Sequence, residues 1–118
     1  MAQVLVVDDA DYMRRLIRTM LTKRGHTVIG EASNGPEAIE LYRTLHPDIV
    51  IMDVLMPNVD GIKALKEIRA ADPKAKVIMC TASEQTHHVE EAMASGASGY
   101  VVKPFSLEEL LNEIQKIL

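Results

Sequence analysis

Short apolar runs alternate with amphipathic segments five times along this chain, and that alternation limits its fold more than any other feature. The apolar runs have the length of strands, and the segments between them carry apolar residues at the spacing of a helix face. Parallel strands need crossovers, and right-handed crossovers place helices on both faces of a sheet. We therefore predict an α/β fold, a doubly wound parallel sheet between two helical layers. The predicted strands are 3–7, 27–31, 49–53, 76–81 and 98–102.

Most of the predicted helices carry a start or end signal in the sequence. Gly25 lies where a glycine commonly ends a helix, and Pro36 fits the first turn of the second helix. Asp60 precedes the third helix, while the fourth has only a weak apolar pattern. Ser106 and Glu109 have capping-box spacing at the start of the fifth. The helical layers are therefore predicted on evidence independent of the strands.

Size and charge restrict the classes of protein that this chain can be. With 118 residues, 47% hydrophobic and 25% charged, it has the composition of one globular domain, which we assign to residues 1–118. The net charge is -4, so the chain lacks the excess of basic residues that nucleic-acid binding requires. No apolar run approaches the length of a membrane span, and no signal peptide precedes the first strand. We expect a cytoplasmic monomer that binds neither nucleic acid nor membrane.

Polar side chains stand at the carboxyl ends of four predicted strands. Asp8 and Asp9 follow the first strand, Asp53 ends the third, Thr81 ends the fourth and Lys103 follows the fifth. A doubly wound sheet binds ligands beyond these ends, where the strand order reverses. If the first and third strands are neighbours there, three carboxylates converge, and their mutual repulsion requires a cation. An acidic site made only of oxygen ligands suits Mg²⁺.

The same side chains predict chemistry on phosphorus. Asp53 is the best candidate nucleophile because it is a lone acid ending the central strand, whereas Asp8 and Asp9 are placed to hold the metal ion. Lys103 and the metal would neutralise the phosphoryl oxygens, and the Thr81 hydroxyl would donate a hydrogen bond to them. The sequence thus predicts a carboxylate that accepts a phosphoryl group.

A purely structural role is the alternative at each of these positions. Asp8, Asp9 or Asp11 could cap the first helix, and we expect that one of them does. Asp53 could be a polar residue at a turn, and Thr81 suits a strand by its shape alone. Spacing alone leaves these alternatives open.

Three stretches of the chain resemble the response-regulator receiver family, and the resemblance extends over essentially the whole sequence. They are VLVVDDADYMRRLI at 4–17, DIVIMDVLMPNVDGI at 48–62 and GYVVKPF at 99–105, with Thr81-Ala82 between the last two. The resemblance implies the flavodoxin-like, CheY-like (βα)5 three-layer sandwich with the sheet order 2-1-3-4-5. It also implies a cis peptide bond between Lys103 and Pro104.

The resemblance assigns roles within the predicted site. Asp53 would be the phosphoacceptor, and Lys103 would contact the phosphoryl group. The Mg²⁺ ligands would come from Asp8, Asp9, Asp53 and the backbone carbonyl of Leu55.

The resemblance further implies a switch and a surface that it controls. Thr81 would turn toward the phosphoryl group, and Tyr100 would turn inward into the vacated space. The responding face would be the fourth helix, fifth strand and fifth helix, with Val89, Tyr100 and Val102 as partner-binding residues. Such a protein is not an enzyme acting on other molecules; it catalyses the phosphorylation and dephosphorylation of its own aspartate.

Partners follow from the same resemblance. A sensor histidine kinase of the CheA type would supply the phosphoryl group, and a phosphatase would remove it. Because the sequence ends directly after the fifth helix, we expect an effector bound in trans. The segments DDADYMR and CTA are more similar to the chemotaxis receivers, which favours the flagellar motor switch. The alternatives are a phosphorelay intermediate and the isolated receiver of a larger regulator.

Two other classes are disfavoured by single positions. A phosphatase of the haloacid-dehalogenase type needs a second acid where this chain has Leu55, and a flavin-binding protein needs a Ser/Thr/Gly-rich loop where it has Asp8 and Asp9. Leu55 cannot orient an attacking water, and Ser83 offers only a short hydroxyl. We therefore expect no fast self-dephosphorylation.

Overall fold

The computed structural model describes residues 2–56, 60–82 and 86–118, and within them five strands alternate with five helices. The strands are β1 (Gln3–Val7), β2 (Thr27–Ala32), β3 (Ile49–Asp53), β4 (Val77–Thr81) and β5 (Gly99–Val102). The helices are α1 (Asp11–Thr22), α2 (Gly35–Leu45), α3 (Gly61–Ala71), α4 (Thr86–Ala94) and α5 (Leu107–Ile117). The predicted strands are confirmed to within one residue at each end.

All strand pairs in the sheet are parallel, and the order is β2-β1-β3-β4-β5. The α/β fold and this order, which entered with the family resemblance, are both confirmed. The order reverses between β1 and β3, where Val7 is in register with Met52. The residues that follow, Asp8 and Asp53, therefore leave the sheet side by side at its carboxyl edge.

The central strands bury side chains on both faces of the sheet. Leu5 and Val7 of β1 pack in one apolar cluster with residues of α2, α3 and α4. Val4 and Val6 pack in a second cluster with residues of α1 and α5. Because successive side chains of a strand point to opposite faces, two helical layers are needed to cover the sheet. This double packing fixes the position of the strand ends that carry the acidic residues.

Three helix starts follow the sequence signals. Pro36 lies in the first turn of α2, the Asp60 side chain accepts a hydrogen bond from the Lys63 amide, and Ser106 and Glu109 form a capping box. The capping prediction for α1 is wrong: Ala10 occupies its N-cap, and no side chain caps the helix there.

Two large apolar residues of the helices are exposed. Leu16 of α1 lies at the border of the apolar stripe, whose buried members are Ile17 and Leu21. Met93 of α4 is likewise exposed, next to the buried Ala92. In the described part of the chain, no helix is both long enough and apolar enough to cross a membrane.

Gly61 lies against the main chain that carries Asp53. Its amide donates to the Val54 carbonyl at 2.7 Å, and a Cβ at this position would lie 2.0 Å from the Asp53 carbonyl oxygen. A backbone atom cannot move aside as a flexible side chain can, so a methyl group here would displace the end of β3.

We predict that Gly61→Ala lowers the free energy of unfolding by at least about 2 kcal/mol, measured by urea denaturation. The matched control is Gly30→Ala, whose Cβ would meet the ends of two flexible side chains, Leu45 Cδ1 at 2.7 Å and Leu5 Cδ1 at 3.3 Å. Its expected loss is about 1 kcal/mol or less. Equal stability of Gly61→Ala and the parent would show that the end of β3 yields freely.

Candidate functional site

Three carboxylates converge at the carboxyl ends of β1 and β3, as the sequence predicts. One oxygen from each of Asp8, Asp9 and Asp53 lies within 4.8 Å of the others. Asp8 and Asp53 are buried, whereas Asp9 is exposed. The two buried acids are held in place by the strands that they end, and Asp9 faces the crevice from the loop before α1.

Lys103 reaches this acidic cluster from the end of β5. Its ammonium lies 2.8 Å from Asp8 Oδ2 and 3.4 Å from Asp53 Oδ2. The Lys103–Pro104 peptide bond is cis, as the family resemblance implies, and the Lys103 amide donates to the Thr81 carbonyl at 2.7 Å. One ammonium among three carboxylates leaves the cluster with an excess of negative charge.

Asp53 is buried within this negatively charged cluster. Its side chain is almost entirely buried, and among the described residues its Oδ1 has no hydrogen-bond partner. Burial raises the pKa of Asp53; the charge of Lys103 acts in the opposite direction, and the charge of Asp8 raises it further. A buried carboxylate oxygen without a partner is the kind of group that a bound cation satisfies.

The lysine is held in its charged form. Burial lowers the pKa of Lys103, but the hydrogen bond to Asp8 and the charges of Asp53 and Asp8 outweigh burial, so the net shift is upward. The site therefore combines a fixed positive charge with surplus carboxylate oxygens. This donor set fits a hard divalent cation such as Mg²⁺, which one or two carboxylates and water hold in most proteins.

Asp8 is oriented by contacts that are unrelated to helix capping. Its Oδ1 accepts the Ala10 amide at 2.9 Å, and its Oδ2 accepts the Lys103 ammonium. Its own amide donates to the Ala32 carbonyl at 3.0 Å, which extends the β1–β2 ladder by one residue. Asp8 is thus fixed before α1 begins.

The remaining predicted residues surround this cluster. Thr81 is buried at the end of β4, one residue beyond Cys80, the register partner of Asp53. Leu55, two residues after Asp53, is 52% exposed. The roles of the Thr81 hydroxyl and the Leu55 carbonyl stay predictions, and Ser83 lies outside the described residues.

Two of the three predicted partner-binding residues share a surface groove. Tyr100, 42% exposed, and Val102 line a groove of about 690 Å³ together with polar residues of α5. Val89 is partly buried on α4 and is not among the described residues that line this groove. The structure therefore brings β5 and α5 together at this groove.

Sequence reasoning missed Arg14, which contacts the site through the main chain. Its Nη1 donates to the backbone carbonyl of Asp8 at 2.5 Å, and its Nε donates to Glu31 at 3.2 Å. The sequence carried one signal for this contact. Arg14 lies in the first turn of α1, at the positive end of the helix dipole, where acidic residues are favoured and an arginine is unexpected.

Comparisons with known proteins agree on one family. The model of the response regulator receiver domain matches residues 4–115. The chemotaxis protein CheY of Thermotoga maritima is 47% identical over 115 residues, which cover 98% of this chain and 96% of that protein. The regulatory protein AtoC of Escherichia coli is 42% identical over 98% of this chain, but the match covers only 25% of AtoC.

A solved structure shows the same fold. A chain in the CheX-CheY-BeF3-Mg²⁺ complex of Borrelia burgdorferi superposes with a TM-score of 0.94 at 32% identity, covering 98% of this chain and 87% of that one. The overlap includes all five strands and five helices described above.

We predict that Asp53→Asn is more stable than the parent at pH 7 in the absence of divalent cations, by about 1 kcal/mol. Folding raises the pKa of Asp53, so the parent loses stability as the pH rises from the unfolded pKa through the folded one. The advantage of the variant should therefore disappear in acid, where Asp53 is protonated in both states.

Urea denaturation between pH 3 and pH 8 in EDTA measures this difference. The matched control is Asp9→Asn, which removes a carboxylate from the same cluster at an exposed position and should stabilise the protein less. A parent more stable than Asp53→Asn at pH 7 would contradict the prediction.

Proposed function

The chain belongs to the response-regulator receiver family, and from that premise we propose that it accepts a phosphoryl group on Asp53 and signals through a bound partner. The observation that carries this proposal is the buried Asp53 carboxylate, whose Oδ1 is unpartnered among the described residues, beside Lys103 and two further acids. Buried ionisable groups that lack full pairing are concentrated at functional sites.

The proposed reaction is an in-line displacement at phosphorus. A carboxylate oxygen of Asp53 forms the new P–O bond as the bond from phosphorus to the donor breaks, which is a P–N bond when the donor is the phosphohistidine of a sensor kinase. Lys103, charged and already 3.4 Å from Asp53, neutralises the incoming phosphoryl oxygens. Thr81, buried at the neighbouring strand end, donates its hydroxyl to them.

Asp8, Asp9 and Asp53, with the Leu55 carbonyl, are the residues that would hold Mg²⁺. When bound, Mg²⁺ neutralises negative charge on the transferring group. Support comes from the acidic cluster itself and from the similar chain of the Borrelia burgdorferi complex, whose description includes Mg²⁺. The chain acts on its own aspartate and, in this proposal, is not an enzyme for other substrates.

The signal leaves through β5 and α5. Thr81 and Lys103 are joined by a main-chain hydrogen bond, and Tyr100 lies on β5, three residues before Lys103, which follows that strand. Tyr100 is exposed in the groove beside α5, so an inward turn of its ring would change the surface that a partner reads. Val102 shares that groove, and Val89 extends the surface on α4.

The proposed partners are a sensor histidine kinase of the CheA type, a phosphatase and the flagellar motor switch in the cytoplasm. Support comes from the Thermotoga maritima relative, which is named a chemotaxis protein and matches along nearly its whole length. The match to one quarter of AtoC favours a second candidate, the receiver of a larger regulator. Binding of the phosphorylated protein to purified motor-switch protein distinguishes the two.

We predict that the parent incorporates phosphate from acetyl phosphate in the presence of Mg²⁺, and that Asp53→Asn reduces labelling at least about a hundredfold because the nucleophile is lost. Intact-mass spectrometry detects the added phosphoryl group. The control is Asp48→Asn at the other end of β3, where the amide oxygen can still accept the Gln3 N–H. Labelling of Asp53→Asn at the parental rate would assign the acceptor elsewhere.

We also predict that the phosphorylated parent persists well beyond seconds without a phosphatase, and that Leu55→Asn shortens its lifetime several-fold. Leu55 is exposed two residues after the acceptor, and an amide there can orient an attacking water that leucine cannot. Decay of the phosphorylated mass after removal of the donor gives the lifetime.

The control for this substitution is Leu16→Asn, which changes an equally exposed leucine on α1. A parental lifetime of seconds or less, or equal decay of the parent and Leu55→Asn, would remove Leu55 from the control of hydrolysis.

A further inference from the structure

Arg14 is a partly buried arginine in the first turn of α1, close in sequence to Asp8 and Asp9. Its side chain is only 14% exposed, and its guanidinium has three partners on three different segments. They are the Asp8 carbonyl, the Glu31 carboxylate on β2 and the Asp11 carboxylate in the first turn of α1. A partly buried arginine with this many partners keeps its guanidinium in one orientation, because the guanidinium group is planar and rigid.

The contact with Asp8 completes a set of four anchors on one residue. The Asp8 amide is held by Ala32, its carboxylate by the Ala10 amide and by Lys103, and its carbonyl by Arg14. The carbonyl belongs to the peptide plane that joins Asp8 to Asp9. Arg14 therefore fixes the orientation of that plane.

Asp9 depends on this plane more than its neighbours do. Asp8 and Asp53 have side-chain contacts with Lys103, whereas Asp9 has no hydrogen-bond or ion-pair partner among the described residues. It is also exposed and lies within 4.8 Å of two like charges, which repel it from the cluster. With no such partner, the reach of its carboxylate depends on where the main chain places its Cα–Cβ bond.

We propose that Arg14 is a positioning residue: by holding the Asp8 carbonyl, it directs the Asp9 carboxylate toward the divalent cation of the acidic site. This inference deepens the proposed function and rests on it. Among the described residues, Arg14 contacts the residues of the cation site only through the Asp8 backbone carbonyl, which is not itself one of the proposed ligands.

Arg14 is in turn held by Glu31, which also binds Arg18. Arg18 donates to Glu31 at 2.9 Å and 2.6 Å, and its hydrogen bond and charge lower the pKa of Glu31, although burial opposes them. Glu31 of β2 therefore stays ionised and remains a partner for the Arg14 guanidinium. The two arginines, Glu31 and Asp11 together carry no net charge, so the clamp adds little repulsion to a cation nearby.

A charge effect and a positioning effect of Arg14 predict opposite changes in the affinity for a cation, which makes the inference testable. If Arg14 acted through its positive charge, its removal would strengthen the binding of a cation to the acidic cluster. If it acts by orienting Asp9, its removal weakens binding, as does the loss of a group that orients a metal ligand in other proteins. Arg14→Lys separates the two further, since it keeps the charge and loses the fork.

The experiment measures Mg²⁺ binding by isothermal titration calorimetry on the whole chain. We expect Arg14→Lys and Arg14→Gln to raise the Kd for Mg²⁺ about tenfold. The matched control is Arg15→Gln, the exposed arginine next along α1, which should stay within about twofold of the parent. Thermal melts in EDTA check that each variant is folded.

A labelling assay adds a readout that a general loss of structure would not give. In acetyl phosphate reactions, the Mg²⁺ concentration for half-maximal rate should rise about tenfold in Arg14→Lys, while the rate at saturating Mg²⁺ stays parental. If Arg14→Gln is unfolded in EDTA, Arg14→Lys alone decides, because it retains the charge and most of the stem.

Parental affinity in Arg14→Lys, or tighter Mg²⁺ binding in Arg14→Gln, overturns the inference and leaves the proposed function intact. If the parent and Arg15→Gln bind no Mg²⁺ at all, the proposed metal site fails and the inference fails with it. The two failures are therefore distinguishable in one set of titrations.

Discussion

The constraint on which this site depends is the packing that holds three carboxylates against one lysine despite their mutual repulsion. Asp8 and Asp53 cannot move apart, because β1 and β3 are adjacent and are buried on both faces by two apolar clusters. Lys103 compensates part of the repulsion, whereas burial first, and then the charge of Asp8, raise the pKa of Asp53. The apolar packing thus supports an acidic site that the same residues would not form in a flexible loop.

This uncompensated charge makes the site responsive to ligands. A group that binds the ionised cluster stabilises the folded state by an amount that rises with the logarithm of its affinity. In the proposed function, a phosphoryl group on Asp53 would compete for the ammonium that lies 2.8 Å from Asp8. Cation binding, modification of Asp53 and movement of Lys103 would then be coupled at one place. A fully neutralised cluster would have no such coupling, because no charged group would lower its free energy by exchanging one partner for another.

Much of the fold and part of the site could be predicted from the sequence. The strand positions followed from apolar runs, and Ser106 with Glu109 marked α5 by their spacing alone. The strand order did not follow from periodicity, since a helical crossover can lead to either side of a strand; it came from the family resemblance. With that order given, the convergence of Asp8 and Asp53 was a necessary consequence of parallel register.

Other features of the site depend on contacts that no local pattern encodes. Lys103 is nearer to Asp8 than to Asp53 because tertiary packing brings together residues far apart in sequence. Arg14 binds the main-chain carbonyl of Asp8, an acceptor that every residue type carries and that the sequence therefore does not mark. The predicted cap of α1 was wrong for a related reason. The acids before the helix were taken by the cluster, so Ala10 was left at the N-cap without a side-chain bond.

In the proposed function, the same contacts would carry a change at one carboxylate to the surface. Lys103 follows β5 directly, its amide is bonded to the Thr81 carbonyl, and Tyr100 lies three residues earlier, on β5. A shift of the Lys103 ammonium away from Asp8 would change the end of β5, to which the Thr81 main chain is bonded. Because β5 is an edge strand beside the α5 groove, it has one neighbouring strand to restrain it. An edge strand of the sheet would therefore join the proposed chemistry to the partner surface.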